Sequence, residues 1–528
     1  MTIRNHFVEK ISPIAKSFYE YFFEIIKQFG NKIAFTNPET MKFLTYSEFI
    51  DRSERMRNAL IRIGIQHGDI IGTYLGNSSD YIAFILAAVG LGAILVPLNP
   101  AYKTYEIEKY FKKVSVKWIL TEEKFFEKIR HLKEKNIEAK IIMLDSTKET
   151  LLYYSFQSYL NNNNSFWINE DIYDFQNKPV QEDNTAVIFF SSGTTGLPKG
   201  VILNHNTLIA NVELVRKAQG IKFGKYEMVS LSGTDIVYGV LPYFHAGGLL
   251  TVFGLLGLGV QIIVTTALLV PPVLKFLATR PNLNPEAFHF LKYIFVGSAH
   301  IKKSLIETVK RRLSKTNIIQ LYGTTEAGAF IFMQPLFPEG KTGSCGILLP
   351  NVECKIVKLR NNEECEEMEI GEIWLRTATI MQGYLEKTND TADAFVDGWF
   401  RTGDLGYYDS DQFIYITGRI KEMIKVRGWQ VSPYEIEEAI QELEDVELCV
   451  VIGIPDEFSG QLPKAYIKLR DGGQLDENII HQLVNTKFAS YKQLKGGIQF
   501  INNIPLNSTG KISRRALLKM NETEGKIV

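Results

Sequence analysis

The stretch Ser191-Ser-Gly-Thr-Thr-Gly-Leu-Pro-Lys-Gly200 directly follows a short apolar run, Ala186 to Phe190. The apolar run predicts a buried strand, and the glycines that follow permit a tight turn with close backbone approach. Hydroxyl groups and Lys199 supply hydrogen-bond donors for phosphate oxygens. The string is not a Walker A loop, because Lys199 is followed by Gly200 and not by Ser or Thr. We therefore predict a phosphate-binding loop of another kind, in preference to a flexible surface turn.

Strand-like and helical stretches alternate on both sides of this string. Residues 69–75 and 93–98 are strand-like, and residues 79–92 between them are helical. Such alternation is typical of βαβ units and largely parallel sheets. After about residue 340, closely spaced strands with Gly and Asp turns indicate an antiparallel or barrel-like portion. A mixed αβ pattern follows Gly418-Arg419 to the end of the chain.

This organisation predicts an α/β fold with a large N-terminal domain of βαβ-type sheets, a small β-barrel-like portion and a small α+β C-terminal domain. In the last part, Ser432 to Leu443 has a serine at the N-cap, a proline at the first helical position and helical apolar spacing. The length of 528 residues agrees with two or more domains, because it exceeds what one ordinary core accommodates.

Composition and charge exclude several classes of protein. Apolar residues make up 45% of the chain and charged residues 22%, as in an average globular protein and unlike a disordered one. The 59 basic and 59 acidic residues cancel, so the chain has no overall positive field for nucleic acid or an anionic membrane. Four cysteines in so long a chain predict reduced thiols, without a disulfide scaffold or a metal knuckle.

One segment has the length of a membrane span. Ala246 to Val264 is 19 residues long and its only polar side chains are Thr251 and Gln261. Its five glycines favour a buried helix followed by a strand. The first ten residues show no apolar signal region, and the last residues, GKIV, match no retention, peroxisomal or prenylation signal. We expect an intracellular, most simply cytoplasmic, protein; a peroxisomal location is the alternative, although no C-terminal signal supports it.

Six further strings follow the loop in a fixed order. Together with it they resemble the signatures of the AMP-forming adenylating superfamily, which includes acyl-CoA synthetases, 4-coumarate–CoA ligases, firefly luciferases and the adenylation domains of peptide synthetases. The resemblance covers essentially the whole chain. The strings are Tyr243-Phe-His-Ala-Gly, Gly297-Ser-Ala, Tyr322-Gly-Thr-Thr-Glu326, Trp399-Phe-Arg-Thr-Gly-Asp404, Gly418-Arg-Ile-Lys-Glu422 and Pro505-Leu-Asn-Ser-Thr-Gly-Lys511.

The resemblance implies that ATP, Mg²⁺ and coenzyme A bind to this chain. It implies that Tyr322 stacks on adenine, that Thr325 bonds the α-phosphate, and that Glu326 holds Mg²⁺, which prefers oxygen ligands. Asp404 would accept hydrogen bonds from both ribose hydroxyls, and Arg419 would lie near the ribose and the phosphates. The other nucleotide-binding residues that the resemblance implies are Ser191, Ser192, Gly193, Thr194, Thr195, Gly196, Lys199, Ala299 and Gly323.

The resemblance also implies that the C-terminal domain is mobile and carries a catalytic lysine, Lys511. Its ammonium would stabilise the charge that builds on phosphoryl oxygens when a carboxylate attacks. Lys425 matches a segment that faces the site after the domain rotates about Lys421, and Gly428 and Trp429 match the pantetheine tunnel for CoA. The implied limits are 1–418 for the N-terminal AMP- and acyl-binding domain, 419–424 for the hinge and 425–528 for the C-terminal lid domain.

The string around His245 bears on the acid substrate. Amino-acid-activating relatives have an Asp after the Phe, and this chain has Phe244-His245. A buried neutral imidazole pairs poorly with an ammonium, which argues against an amino acid. The apolar residues that follow suit an acyl chain or an aryl ring. We therefore expect His245 to act as a gate or pocket residue, with a satisfied core histidine as the alternative.

The chain departs from the family pattern in several places. His300 replaces a usual Pro, and Leu321 replaces a Gly beside the expected adenine and acyl sites. Gln461 replaces a Glu, and we expect little effect from this change. A larger departure lies between Thr265 and Leu269, where about one helix with its connections, roughly 20 residues, is missing for a parallel crossover. We expect this loss to leave the sheet one strand short or misregistered, which puts activity in doubt more than ancestry.

These features predict an AMP-forming acid–CoA ligase of the 4-coumarate–CoA ligase-like branch. It would convert a carboxylic acid, either fatty acyl or aryl and cinnamate-like, to an acyl-adenylate with ATP, and would then transfer the acyl group to CoA. Two alternatives stay open: a luciferase-like oxygenase, and a catalytically impaired isoform or ligand-binding pseudoenzyme. The expected partners are small molecules, with neither nucleic acid nor a transmembrane span.

Overall fold

The computed structural model describes residues 3–4, 14–135, 137–147, 153–155, 157, 179–191, 199–264, 272–281, 283–297, 303–336, 341–386, 388–427, 429–506 and 512–524. Strands occur along the whole of this length and belong to several sheets. In chain order they are β1 (Ile3–Arg4), β2 (Ile33–Asn37), β3 (Lys42–Thr45), β4 (Ile70–Tyr74), β5 (Ile94–Pro97), β6 (Trp118–Thr121), β7 (Lys140–Met143), β8 (Tyr153–Ser155), β9 (Thr185–Ser191), β10 (Lys199–Asn204), β11 (Lys222–Phe223), β12 (Tyr226–Glu227), β13 (Ile236–Gly239), β14 (Gln261–Val264), β15 (Tyr293–Val296), β16 (Asn317–Tyr322), β17 (Phe332–Met333), β18 (Ile347–Leu348), β19 (Val352–Val357), β20 (Gly371–Thr377), β21 (Gly383–Tyr384), β22 (Phe395–Val396), β23 (Trp399–Tyr408), β24 (Ile414–Arg419), β25 (Ile424–Val426), β26 (Trp429–Val431), β27 (Val446–Asp456), β28 (Gly460–Leu469) and β29 (Ile498–Phe500).

Several helices begin at side chains that satisfy their free backbone N–H groups. Ser17 with Glu20, and Thr45 with Glu48, form capping boxes at the first two helices. The α-helices, in chain order, are α1 (Phe18–Ile26), α2 (Tyr46–Arg62), α3 (Ser79–Val89), α4 (Thr104–Val114), α5 (Phe126–Arg130), α6 (His205–Lys217), α7 (Ala246–Leu256), α8 (Pro272–Thr279), α9 (Lys303–Arg312), α10 (Thr388–Ala394), α11 (Pro433–Ile440), α12 (Glu477–Lys487) and α13 (Arg514–Glu524).

An eight-stranded sheet carries the predicted phosphate-binding hairpin. Its strand order is β21-β10-β9-β5-β4-β6-β7-β8. The pairs from β9 through β8 are parallel, while β10 is antiparallel to both β9 and β21. Helix α3 packs on this sheet with every side chain from Tyr81 to Val89 buried, as expected where helices cover parallel strands. The βαβ pattern predicted for the first part of the chain is confirmed.

The long apolar segment Ala246 to Val264 folds as helix α7 followed by strand β14. Both elements are mostly buried, and β14 lies between β13 and β2 in a four-stranded sheet of order β13-β14-β2-β3. Among the residues that the structure describes, no helix is both long and apolar enough to cross a bilayer. The predicted buried helix plus strand is confirmed.

The strand edges of β13 and β15 are open within the described part of the chain. There β13 pairs with β14 alone and β15 with β16 alone, so the two belong to separate four-stranded sheets. Ile236 and Tyr238 on β13 are 55% and 49% exposed. The salt bridge between Lys292 and Asp235, 2.9 Å long, holds the beginnings of the two strands near each other. These open edges agree with the expected loss of one strand; the short connection itself, residues 265–271, lies outside the described residues.

An antiparallel portion follows, as predicted after residue 340. Strands β1, β19, β20, β23, β22 and β24 form one six-stranded sheet with antiparallel pairing throughout. A bridge between Gly346 and Ile414 connects it to the β17–β18 hairpin. The end of β16 runs into this region, since Leu321 and Tyr322 pair with β17. Parallel and antiparallel parts therefore meet at the end of β16.

The C-terminal part has a separate small core. A five-stranded sheet of order β26-β25-β28-β27, with β29 beside β28, packs against α11 and α12. The predicted helix at 432–443 is observed as α11, with Pro433 at its first position. Ser432 occupies the predicted N-cap position of α11, but its hydroxyl donates to the carbonyl of Thr417 at 3.1 Å and so ties α11 to β24 in place of capping it. The predicted fold class is confirmed; the residue limits of the domains and hinge stay predictions.

A buried histidine lies where α6 meets α1. His205 is fully buried, and its Nδ1 accepts a hydrogen bond of 2.9 Å from the backbone N–H of Phe18. Burial, and secondarily the charge of His67, lowers the pKa of His205 from 6.5 to about 4. The folded protein therefore keeps this imidazole neutral at a pH where the unfolded chain protonates it.

We expect open edge β13 to promote self-association. Ile236→Lys with Tyr238→Lys should reduce the concentration-dependent light scattering of the purified protein, because lysine on an edge strand opposes pairing between chains. The midpoint of thermal unfolding should stay nearly unchanged, since both side chains are exposed. Met41→Lys, at an exposed turn position, is the control; equal scattering of all three proteins would contradict the role of the edge.

Replacing His205 should reduce the loss of stability in acid. Between pH 6.5 and 4 the unfolded chain binds more protons than the folded protein, so the free energy of unfolding falls as the pH falls. At about 1.4 kcal/mol per pKa unit, this group accounts for about 3 kcal/mol over that range. His205→Asn retains an acceptor for the Phe18 N–H and cannot titrate. Urea unfolding at several pH values measures this dependence. Between pH 6.5 and 4 the free energy of unfolding should fall less steeply with falling pH in the variant than in the wild type; an unchanged dependence would assign the effect to carboxylates.

Candidate active site

The predicted phosphate-binding string is a β-hairpin at the edge of the main sheet. Strand β9 ends at Ser191 and β10 begins at Lys199, and these two residues face each other in the antiparallel register. The predicted buried strand before the string is confirmed. Ser192, Gly193, Thr194, Thr195 and Gly196 lie outside the described residues. The hairpin thus brings one hydroxyl and one ammonium of the string to its mouth.

A carboxylate from another part of the chain reaches this hairpin. Glu326 follows β16 in a short 3-10 helix, Thr325–Ala327, whose first N–H groups are capped by Thr324. The Ser191 hydroxyl donates to Glu326 Oε1 at 3.3 Å. The phenol of Tyr384 donates to the same oxygen at 3.2 Å. The structure therefore unites Ser191 with Glu326, and adds Tyr384, which the sequence analysis missed.

Gly323 is required for the chain to reach this position. A Cβ at Gly323 would lie 1.7 Å from the carbonyl oxygen of Ala329, so the backbone could not turn here with any larger residue. Thr325 is partly exposed at the start of the short helix. The turn places Tyr322, Thr325 and Glu326 on one compact segment.

The ammonium of Lys199 is held by groups from segment 384–390. It lies 3.1 Å from Asp390 Oδ2 and 4.6 Å from the centre of the Tyr384 ring. The Lys199 residue is buried while Asp390 is partly exposed. Neither Asp390 nor Tyr384 was predicted from the sequence.

The second group of predicted residues forms a bonded triad. The Tyr322 phenol donates to Asp404 Oδ2 at 2.5 Å, and Arg419 Nε lies 2.8 Å from Asp404 Oδ1. Asp404 and Arg419 are opposite each other on β23 and β24. Asp404 is 2% exposed. One face of the Tyr322 ring stacks on Phe332, with ring centres 5.3 Å apart.

The electrostatics of this triad reflect burial and close charge. Burial raises the pKa of the Asp404 carboxyl, while Arg419 and the hydrogen bond from Tyr322 act in the opposite direction. The Asp404 carboxylate raises the pKa of Arg419, so the guanidinium stays charged. Each carboxylate oxygen accepts one bond here and has a further lone pair. The triad can therefore accept additional donors without losing either partner.

Lys421, the predicted hinge residue, is influenced by the charges of Lys199 and Asp390. Partial burial lowers the pKa of Lys421; the charge of Lys199 acts in the same direction and Asp390 opposes it. Lys421 therefore lies within electrostatic range of the Lys199–Asp390 pair. The hinge borders a cleft of about 600 Å³ lined by Ile420, Lys421, Met423, Lys425, Gly460 and Gln461.

The structure describes some of the site residues that were predicted in the C-terminal part of the chain. Lys425 is exposed on β25, and its backbone N–H donates to Gln461 Oε1 at 2.8 Å. Gln461 thus holds the Lys425 strand through a side-chain oxygen that a Glu would also supply, and the small effect expected of this replacement stays a prediction. Trp429 is 55% exposed and stacks on Tyr491 at 4.9 Å. Ala299, His300, Gly428 and Lys511 lie outside the described residues.

Two ion pairs of Arg514 hold the region next to Lys511. Arg514 contacts Glu437 at 2.6 Å and the hinge residue Glu422 at 3.3 Å. A bridge between Leu506 and Ile512 closes the chain on either side of residues 507–511. Arg514 was not predicted as a site residue. Within the described residues, Arg514 therefore links the start of α13 to Glu422 and to α11.

Comparison with known proteins identifies the family. The AMP-binding enzyme family model matches residues 22–385, and that of the AMP-binding enzyme C-terminal domain matches residues 435–511. The chain belongs to the AMP-binding enzyme family. The predicted resemblance is confirmed, and by family the chain is an AMP-forming acid–CoA ligase.

Curated relatives of this family align over almost the full chain. Identity is 32% over 532 residues with 4-coumarate–CoA ligase 3 of Arabidopsis thaliana, covering 94% of this chain and 90% of the relative. It is 30% over 511 residues with luciferin 4-monooxygenase of Photuris pensylvanica, covering 93% and 92%. Two different activities are therefore named among relatives of similar identity.

Solved structures of AMP-binding enzymes share the fold. ATP-bound MatB from Rhodopseudomonas palustris superposes with a TM-score of 0.81 at 22% identity, over 95% of this chain and 98% of that one. The Bacillus subtilis o-succinylbenzoate CoA synthetase in complex with its acyl-adenylate gives 0.76 at 22% identity, over 96% and 98%. At this identity the likeness concerns the fold alone.

The segment that leads to His245 is tightly constrained. His245 occupies the N-cap position of α7 and is partly exposed, so its predicted burial is wrong. Asn77 holds the preceding residues: it donates to the carbonyl of Leu241 and accepts from the N–H of Tyr243, both at 2.9 Å. A Cβ at Gly248 would lie 2.0 Å from the Pro242 carbonyl oxygen. Asn77 is a further residue that the sequence analysis missed.

Loss of Arg419 should destabilise the fold through Asp404. Arg419→Met leaves a buried carboxylate without its cation, which costs 3–5 kcal/mol for a fully buried pair. We expect about 2–3 kcal/mol, because the Arg419 side chain is itself 45% exposed. Denaturant unfolding at pH 7 measures the difference. Lys358→Met, which breaks the pair with Glu369 near the surface, should lower the free energy of unfolding far less, because such pairs contribute little; equal losses would contradict this account.

Proposed function

We propose that the chain converts a carboxylic acid and ATP to an acyl-adenylate and pyrophosphate, and then transfers the acyl group to the thiol of CoA. The observation that carries the proposal is the segment Tyr322–Glu326. Its first residue bonds Asp404, and its last bonds Ser191 at the hairpin. One short segment thus joins two sets of side chains whose chemistry suits the two ends of a nucleotide.

The set around Asp404 suits the nucleoside. Tyr322 offers an aromatic surface next to a carboxylate with further lone pairs for ribose hydroxyls. Arg419 is the adjacent cation. We infer that adenine and ribose bind here.

The set around Lys199 and Glu326 suits the phosphates and Mg²⁺. Within the described residues, no cluster of three or more His, Cys, Asp or Glu side chains could hold a metal ion by itself. A lone carboxylate fits Mg²⁺ that arrives with ATP, because this ion is commonly bound by one or two carboxylates together with substrate phosphates and water. Glu326 would hold it, and the bound ion would neutralise phosphate charge. Lys199 would contact the phosphate oxygens directly.

The first step is attack of the acid carboxylate oxygen on the α-phosphorus. The bond to pyrophosphate breaks as the new phosphoryl–carboxyl bond forms. Negative charge develops on the phosphoryl oxygens and the entering oxygen, and a fixed ammonium stabilises it without accepting a proton. We assign this role to Lys511; Arg514, three residues further along the chain, pairs with Glu422 in the proposed hinge.

The second step is attack of the CoA thiolate sulfur on the acyl carbonyl, which releases AMP. Lys425 is exposed on β25 and Trp429 on the adjacent β26. We propose that rotation about Lys421 turns this hairpin toward the acyl-adenylate and that Trp429 borders the CoA path. The proximity of Lys421 to the Lys199–Asp390 pair supports a hinge that lies at the edge of the site.

The proposed acid is an aryl or a fatty acid. The apolar start of α7, including Ala246 and Leu249, is buried. The curated relatives that are named 4-coumarate–CoA ligases favour an aryl acid of that kind. One observation supports an alternative: the open edges of β13 and β15 would also be expected in an impaired protein that binds ATP without turnover.

AMP release by the purified protein tests the proposal. Incubation with MgATP and a panel of aryl and aliphatic acids should give AMP with one class of acid, and more AMP when CoA is present. CoA-independent AMP with light emission in the presence of oxygen would instead indicate a luciferase-like reaction. ATP binding with no AMP from any acid, by folded and monodisperse protein, would identify the binding protein.

Lys511→Ala should separate the two steps. Because the ammonium acts in the first transition state, adenylate formation should fall by about 100-fold or more. Thioester formation from supplied acyl-adenylate and CoA should continue at close to the original rate. Lys519→Ala, at an exposed position on α13, is the matched control. Equal loss of both steps in Lys511→Ala would overturn the assigned role.

A further inference from the structure

Tyr384 contacts both charged groups at the phosphate end of the site. Its hydroxyl donates to Glu326 Oε1 at 3.2 Å, and its ring centre is 4.6 Å from the ammonium of Lys199. The ammonium is also paired with Asp390 at 3.1 Å. A single side chain thus lies between the carboxylate and the cation, with its polar end on one and its π face on the other.

The backbone around Tyr384 is fixed by bonds to the hairpin that carries Lys199. Strand β21 pairs with β10 so that Tyr384 lies opposite Val201. The N–H of Leu385 donates to the carbonyl of Gly200 at 2.7 Å. The N–H of Tyr384 donates to Thr391 Oγ1 at 2.9 Å. The phenol is therefore held on the sheet that also positions the lysine, and it does not depend on a loose loop.

The phenol of Tyr384 must be the donor in its bond to Glu326, because an ionised carboxylate oxygen can only accept. A protonated phenol can donate to only one acceptor, and here it donates to Glu326 Oε1. Ser191 donates to the same oxygen at 3.3 Å. With Oε1 occupied by two donors, the carboxylate is oriented with Oε2 as its other acceptor.

We propose that Tyr384 is a positioning residue for the metal and phosphate end of the ATP site: its hydroxyl orients Glu326 and its ring face holds Lys199. This inference rests on the proposed function, since it names how that site is organised before ATP arrives. Lys199 exchanges Asp390 for a phosphate oxygen when ATP binds, and it stays over the ring while it does so.

The test compares binding of MgATP, metal-free ATP and AMP by calorimetry. Tyr384→Phe retains the ring over Lys199 and removes the donor to Glu326. We expect MgATP to bind about tenfold more weakly, because a hydrogen bond to a charged group is lost. The Mg²⁺ concentration that gives half of the ATP-dependent rise in melting temperature should increase. AMP, which lacks the β- and γ-phosphates, should bind within about twofold of the original affinity.

Two further variants test separately the contact of the Tyr384 ring with Lys199 and the bond that fixes the Tyr384 backbone. Tyr384→Leu also removes the ring face, so metal-free ATP should bind more weakly to it than to Tyr384→Phe. Thr391→Val removes the acceptor of the Tyr384 N–H and should weaken MgATP binding in the same direction by a smaller factor. Tyr21→Phe is the matched control, because the Tyr21 phenol also donates to a glutamate, Glu213, at a position remote from the hairpin.

The outcomes distinguish this inference from the proposed function. Wild-type protein that binds neither MgATP nor AMP would overturn both. If the wild-type protein binds MgATP and Tyr384→Phe binds it with the same affinity, the positioning role alone is overturned. An equal loss of AMP and MgATP binding in that variant would reduce Tyr384 to a structural residue, which also overturns it. Selective loss of MgATP binding, with Tyr21→Phe unchanged, would support it.

Discussion

The position of Glu326 relative to the β9–β10 hairpin depends on how the chain leaves strand β16. At Tyr322 the chain is fixed by the hydrogen bond to Asp404, and four residues later by the bonds that Glu326 accepts. Between them, Gly323 passes so close to Ala329 that no side chain fits. Because β16 pairs with β15 on one side and β17 on the other, this turn lies where the parallel and antiparallel parts of the N-terminal domain meet. Both candidate subsites are built on this junction.

Charges at the site are paired before any ligand is present. Asp404 with Arg419, and Lys199 with Asp390, are pairs in which one partner is buried and the other is more exposed. A buried charge without a partner is costly, so these pairs stabilise the unliganded protein. The more exposed partner of each pair can rearrange at little cost, since an exposed ion pair contributes little. A nucleotide with its own charges can therefore replace one partner and leave the buried group satisfied.

Strands β13 and β15 differ from the other strands around the site in having one open edge each within the described residues. Apolar side chains on both strands are exposed. The site residues discussed above are nevertheless carried by other strands, β9, β10, β16, β21, β23 and β24. The loss of a crossover that we expect here would thus affect the side of the domain near α7 and β13, which is also where the proposed acid pocket begins. The nucleotide subsites are supported independently of it.

The sequence by itself determined the family and the alternation of strands and helices. It also singled out Ser191, Lys199, Tyr322, Glu326, Asp404 and Arg419, because all of these features depend on short strings with fixed local chemistry. The five glycines of the segment Ala246 to Val264 also favoured α7 and β14 over a membrane span. Only the tertiary structure decided that Tyr384 and Asp390 belong to the site, that Asn77 holds the segment before His245, and that Ser432 bonds Thr417 in place of capping its helix. Each of these contacts joins residues that are distant in the chain or on different elements, and their side chains have no local pattern that marks them. Strand pairing and packing bring such residues together, and that information is spread over the whole sequence.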